Sequence, residues 1–289
     1  MDKKRYCAVL AAAGCLAAPV SIPTSSWAQA TVVTPTPRGA RPAPPADGLR
    51  RDGDGAPETQ WEPTPPPSDP HDLNGLWEVP RPSTALRTLD NQAPPFTPEE
   101  AKDTQRHVDA EKAGEPIADA STYCFPHGVP RVTNAPFPIR FAYSPGLIVM
   151  LYEVNHNVRF VHMDGKPAPA NTPFTFLGYS VGHWDGNTLV VETDHLNNRT
   201  LLDSHTSHGP KLKVTERFTK VKANLGHTDL EVMETISDPD HFTKPFSMKR
   251  NFAFRSDLER DAGWGGLTEY ACEENNRNIP DAFGISTAK

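Results

Sequence analysis

Three consecutive segments of this chain alternate apolar and polar residues, and on each the apolar face is interrupted by one charge. On Leu212-Lys213-Val214-Thr215-Glu216-Arg217-Phe218, a period of two sets Leu212, Val214, Glu216 and Phe218 on one side. The next segment sets out Leu230, Val232, Glu234 and Ile236, and the third Phe246, Met248, Arg250, Phe252 and Phe254. A buried charge costs several kcal/mol unless it is paired. Two acids and one base on shared inner faces therefore predict either an internal ion-pair network or a polar-lined cavity.

The rest of the region between Phe137 and Cys272 reads the same way. Strands are predicted near 137–144, 147–155, 158–164, 176–184, 188–195, 211–222, 228–238, 245–256 and 265–272. Pro145-Gly146, Asn155-His156-Asn157, Asp164-Gly165, Asp185-Gly186-Asn187 and Asn224-Leu225-Gly226 supply turns. With a first strand in Asp72–Val79 the total is about ten, and short connections imply antiparallel neighbours. An all-β antiparallel, up-and-down meander of this kind avoids open edges by closing into a barrel. One surface helix is predicted, with Thr97 as its cap, Pro98 first, Glu100 completing a capping box and Gly114 ending it.

The ends have a different character. Lys3, Lys4 and Arg5 precede an apolar run, Ala8 to Ala18, and Ala28-Gln29-Ala30 offers cleavage after Ala30 or Ala28, so residues 1–30 read as a secretion signal. Cys15 weakly resembles a lipoprotein box but has no leucine three residues before it. Residues 31–71 are rich in Pro, Gly, Arg and Asp and read as a disordered tether; 72–277 is the barrel domain and 278–289 a tail. The implied location is periplasmic or secreted, with no transmembrane segment.

Export leaves two cysteines, Cys124 and Cys272, which an oxidising compartment would join. A pair of metal-ligating thiolates is the weaker alternative, since neither belongs to a C-x-x-C pair. A formal net charge of −7 argues against nucleic acid and against attraction to anionic membranes.

Gly75-Leu76-Trp77 resembles the Gly-x-Trp of lipocalins, and the resemblance implies an arginine, Arg250 or Arg255, against Trp77. Over about Asp72 to Asn276, Gly178-Tyr179-Ser180-Val181-Gly182-His183-Trp184-Asp185-Gly186-Asn187-Thr188-Leu189-Val190-Val191, Thr215-Glu216-Arg217-Phe218, Asp238-Pro239-Asp240-His241-Phe242-Thr243-Lys244-Pro245 and Cys272-Glu273-Glu274-Asn275-Asn276 are similar to a family of exported, largely uncharacterised bacterial β-barrel proteins. That resemblance implies export and a barrel and carries no reaction.

The candidate site residues follow from the inner faces. Glu216 and Glu234 are candidate acid/base groups because burial raises a carboxyl pKa, with His183 and His156 as assistants. Arg250, Tyr152, Phe160, Tyr179, Phe218 and Phe252 are candidate ligand contacts. A metal site from His156, His205, His208 and Glu153 is conceivable, but no H-E-x-x-H occurs and no metal is expected. Gly178-Tyr179-Ser180-Val181-Gly182 fits the letters of a nucleophile elbow, yet it continues along a strand and is rejected. Phosphate-binding glycine loops are lacking, so no nucleotide cofactor is expected. The leading expectation is a barrel that binds a hydrophobic or aromatic small molecule. A cofactor-independent lyase, isomerase, cyclase or hydratase in the same cavity is the alternative, and a structural envelope module the third.

Overall fold

A computed structural model of the chain describes residues 65–80, 82–83, 85–222, 228–256 and 266–272. The expected signal, most of the tether and the tail lie outside these residues. Among the described residues, nine strands close into one barrel in chain order. They are β1 (Gly75–Glu78), β2 (Ile139–Ser144), β3 (Leu147–Tyr152), β4 (Val158–His162), β5 (Tyr179–Asp185), β6 (Thr188–Asp194), β7 (Lys213–Lys222), β8 (Thr228–Ser237) and β9 (Phe246–Phe254). Closure is made by β1 against β9, where Trp77 pairs with Phe254 and Glu78 with Ala253.

The strand count corrects the expected ten. Residues 266–272 form no strand, although Leu267-Thr268-Glu269-Tyr270 alternates suitably. A tenth strand needs an open edge, and the β1–β9 pairing has already consumed it. The segment is instead latched by side chains: the Thr268 N–H donates to Glu153 Oε2 at 2.8 Å and the Tyr270 N–H to His156 Nε2 at 2.8 Å. Cys272 is bonded to Cys124, with Cα atoms 5.6 Å apart.

Antiparallel pairing holds at every seam but one. Strands β4 and β5 run parallel and share only two residue pairs, Val161 with Ser180 and His162 with Val181. Parallel neighbours require a crossover of a dozen residues or more, and residues 163–178 supply it. The expected strand start at 176 is displaced to Tyr179 because Gly178 sits at φ +67°, with Asp194 and Thr193 packed where a side chain would stand.

The core lies inside the barrel, and its faces are those the alternation predicts. Val214, Glu216 and Phe218 on β7, Leu230, Val232, Glu234 and Ile236 on β8, and Phe246, Met248 and Phe252 on β9 are all buried. At the β1 end, Trp77 is fully buried and donates its indole N–H to the Leu73 carbonyl at 2.9 Å. Its ring partner is Phe254, 5.0 Å away edge-on, and not Arg250, whose guanidinium turns to Glu234.

Helix α1 (Pro98–Ala113) begins and ends as predicted: the Thr97 hydroxyl accepts from the Glu100 N–H, and Gly114 caps it in a left-handed conformation. The reciprocal half of the capping box is not formed. Thr97 gives its N–H to the His241 carbonyl at 2.9 Å, while Glu100 is buried and accepts from the Ser207 N–H at 2.9 Å. These contacts dock α1 on the loops that follow β6 and β8. Residues 65–71, placed in the tether from composition, are held by Lys220, whose ammonium donates to the carbonyls of Pro67 at 2.7 Å and Asp69 at 2.9 Å and to that of Asp72.

Candidate functional site

Inside the barrel, β7 and β8 are in a register that sets Glu216 directly opposite Glu234. Both side chains are fully buried. Like charges facing each other across a strand pair repel, so each acid needs its own cation. Glu234 is met by Arg250 of β9, Nε to Oε2 at 3.2 Å. Glu216 is met by Arg159 of β4, whose Nη2 donates to Glu216 Oε2.

Arg159 is not among the side chains that the sequence pattern turns inward. In Val158-Arg159-Phe160-Val161-His162 the bulkier apolar residues occupy the other face, so the local pattern points Val158 and Phe160 inward. The structure does the reverse: Arg159 is buried, and Phe160 is 52% exposed. The β3–β4 register decides it, pairing Arg159 with the buried Met150 and Val161 with the buried Ile148. Charge counting was an available signal, since two inward acids and one inward arginine leave one acid without a counter-ion.

Arg159 is saturated with partners. Nε donates to Ser180 Oγ at 2.9 Å, Nη2 to Thr193 Oγ1 at 2.6 Å, and Nη1 to the Tyr152 hydroxyl at 3.4 Å. Burial opposes its charge, and the Glu216 carboxylate beside it more than offsets this, holding the guanidinium above its ordinary pKa. Glu216 completes its shell by accepting from the Thr133 hydroxyl at 3.3 Å. Ser180 is therefore a buried hydrogen-bonding residue, in keeping with the rejected nucleophile elbow.

The second pair is not saturated. Glu234 Oε1 is buried and has no hydrogen-bond partner among the described residues. Burial pushes the Glu234 carboxyl up to about 7, Glu216 adds to that, and Arg250 opposes it. Around these groups the wall is apolar: Phe141, Met150, Val232, Met248, Phe218 and Phe252 are buried, and Phe141 meets Phe218 edge-on at 5.7 Å. Burial also pushes the Tyr152 phenol up to about 12, so it stays neutral.

Of the candidate residues, the structure brings together Glu216, Glu234, Arg250, Tyr152, Phe218 and Phe252 inside the barrel. It separates the others. His183 is exposed on the outer face of β5, because the strand phase that buries Ser180 and Gly182 turns it out. His156 is exposed in the turn between β3 and β4 and serves the 266–272 latch. Tyr179 stacks on His162 at 4.5 Å on the outside and, with Phe160, lines an outer cleft of about 400 Å³ beside the parallel seam.

The conceivable metal set is dispersed in the same way. His205 pairs with Glu111 at 2.9 Å, His208 is buried beside the Gly209 carbonyl, and Glu153 holds Thr268. No cluster of three or more His, Cys, Asp or Glu able to hold a metal occurs among the described residues. No helix among them is long and apolar enough to cross a membrane. No protein family, curated protein or solved structure matches the chain.

Proposed function

We propose that this is an exported, lipocalin-like barrel that binds a hydrophobic or aromatic small molecule in its interior. The reading is carried by Glu234 Oε1, a buried carboxyl oxygen without a partner, set in an apolar wall. An unmade hydrogen bond on a buried polar atom costs about 1–3 kcal/mol, which a ligand's polar group seated there would recover. Apolar walls with a few convergent polar groups are the usual make-up of a small-molecule site.

Two measurements test the reading. Mass spectrometry of the protein purified from its native host is expected to find an apolar compound in near-stoichiometric amount and a mature N-terminus at Thr31 or Gln29. Titration of the emptied protein with the neutral aromatic probe 1-aminoanthracene is expected to saturate. Failure to copurify any compound, together with failure to bind the probe, overturns the binding reading; an intact N-terminus overturns export.

A cofactor-independent acid/base enzyme is the second reading, favoured by the Glu234 carboxyl lying near 7, where it exchanges protons readily at neutral pH. Glu234 would be the general acid/base and Arg250 its electrostatic partner, in a lyase, isomerase, cyclase or hydratase. Turnover of the copurified compound that is abolished in Glu234→Gln, with binding retained, would establish it.

A further inference from the structure

We propose that the interior site takes an apolar molecule bearing a single carboxylate, and that seating this anion brings a proton onto Glu234; the inference rests on the interior-binding reading above. The buried charges of the barrel interior differ in how fully they are paired. Arg159 of β4 and Glu216 of β7 neutralise each other, and both Glu216 oxygens are engaged, one by Arg159 and one by Thr133. Tyr152 of β3 is neutral and hydrogen-bonded to Arg159. What remains is Arg250 of β9 with Glu234 of β8.

Arg250 uses only its Nε on Glu234. Its Nη2 meets nothing better than the Met248 sulfur at 3.6 Å, so the outer edge of the guanidinium has no oxygen acceptor among the described residues. That edge is the fork that binds the two oxygens of a carboxylate. Glu234 Oε1 also lacks a partner. With its proton on, Glu234 becomes a hydrogen-bond donor beside the guanidinium, and Arg250 becomes a cation without a counter-ion. An incoming carboxylate supplies both the charge and the acceptor lone pairs. With the proton off, Glu234 occupies Arg250 itself and repels the ligand. An ammonium ligand fits neither state, since it would face Arg159 and Arg250 together. The Arg250 side chain is 9% exposed while that of Glu234 is 0% exposed, so the anchoring cation stands nearer to solvent than the proton carrier.

Proton balance is simple: each anion bound above the Glu234 midpoint takes up one proton from water, and no bond other than O–H forms or breaks. A one-proton linkage weakens the ligand about tenfold for each pH unit above about 7.

The test compares 1-pyrenebutyrate, an anion throughout pH 6–8.5, with the uncharged 1-pyrenebutanol, by fluorescence titration of the mature chain. Pyrenebutyrate is expected to bind at least about tenfold tighter than the alcohol at pH 6, the gain from one charge-assisted contact, and to weaken as the pH rises while the alcohol does not. Glu234→Gln is expected to remove the pH dependence and to strengthen pyrenebutyrate binding at pH 8.5, a gain that a damaged barrel would not produce. Arg250→Gln is expected to abolish the preference for the anion, so that pyrenebutyrate binds no tighter than the alcohol at pH 6. Equal or tighter binding of the alcohol at pH 6 overturns the carboxylate inference and leaves the interior reading standing. A preference for the anion with a flat pH profile overturns the proton uptake. Binding of neither probe at any pH removes the interior reading itself.

Discussion

Glu216 and Glu234 face each other across β7 and β8 at one position of the register, both fully buried, and they are in opposite hydrogen-bonding states. Both oxygens of Glu216 have donors. Glu234 has one donor for two oxygens. The saturated pair, Glu216 with Arg159, fixes the geometry of the wall, and the unsaturated pair, Glu234 with Arg250, is left with the capacity to do chemistry or to bind.

Removing Arg159 while leaving Glu216 strands a buried charge. Arg159→Met is expected to destabilise the barrel by about 3–5 kcal/mol in urea unfolding, whereas Arg159→Met with Glu216→Leu should recover most of that loss, because a buried pair replaced by apolar side chains is often nearly neutral. A double variant no more stable than Arg159→Met alone would mean that Thr193, Ser180 and Tyr152, not Glu216, depend on the guanidinium.

The inner faces of β7, β8 and β9 were legible in the sequence because each strand is long and half-buried, so the period of two repeats often enough to fix its phase. Strand β4, five residues with Val158 and Phe160 on its outer side, gave the wrong phase, and Arg159 was lost with it. What turned β4 was its register with β3, a relationship between strands that local alternation does not encode. The parallel seam was hidden for a similar reason: residues 163–178 carry no helix to mark them as a crossover. His183 and His156 have suitable side-chain chemistry, but that chemistry says nothing of the face on which a residue falls, and both are exposed.

The Cys124–Cys272 bond spans 148 residues and ties the 266–272 latch to the loop that precedes β2. In the chain-entropy account a closed loop of that size contributes about 4–5 kcal/mol. Cys124→Ser with Cys272→Ser is expected to lower stability by that order and to free the Thr268 and Tyr270 amides to exchange, while amides of β7 and β8 keep their protection relative to global unfolding. Unchanged exchange at Thr268 and Tyr270 would show that Glu153 and His156 hold the latch unaided.

Gly75 has φ +110°, and a Cβ there would overlap the Phe254 ring. The glycine of the Gly-x-Trp string is thus explained by this chain's own packing: it clears the space in which Phe254 meets Trp77. Gly75→Ala is expected to cost at least about 1–3 kcal/mol, through backbone strain and overpacking together, and to perturb the near-ultraviolet circular dichroism of Trp77. Adding Phe254→Leu should relieve the overlap but not the strain, so a partial recovery is the expected result, and full recovery would assign the whole cost to packing.

Glu234 makes stability depend on pH in the direction opposite to most carboxyls. Its folded pKa, about 7, lies above the ordinary 4.5, so between these values the unfolded chain has released the proton that the folded chain keeps. The folded state then binds more protons, so the Glu234 contribution to stability falls as the pH rises from about 4.5 to about 7, by an amount on the order of 3 kcal/mol, and that contribution is flat above. Asp103 and Asp238 have lowered pKa values despite their partial burial, because hydrogen bonds from Arg106 and Ser207 to the first and from His241 and backbone amides to the second prevail. Their contribution is present above the ordinary aspartate range and is lost as the pH falls through their folded values, so it is confined to the acid limb. The difference between wild type and Glu234→Gln isolates the single group: the two should unfold at similar urea concentrations at pH 4.5, and the variant should be the more stable at pH 8. A difference that does not change with pH would mean that Glu234 is ionised in the folded protein throughout, held by Arg250, and that the unpartnered Oε1 carries no proton.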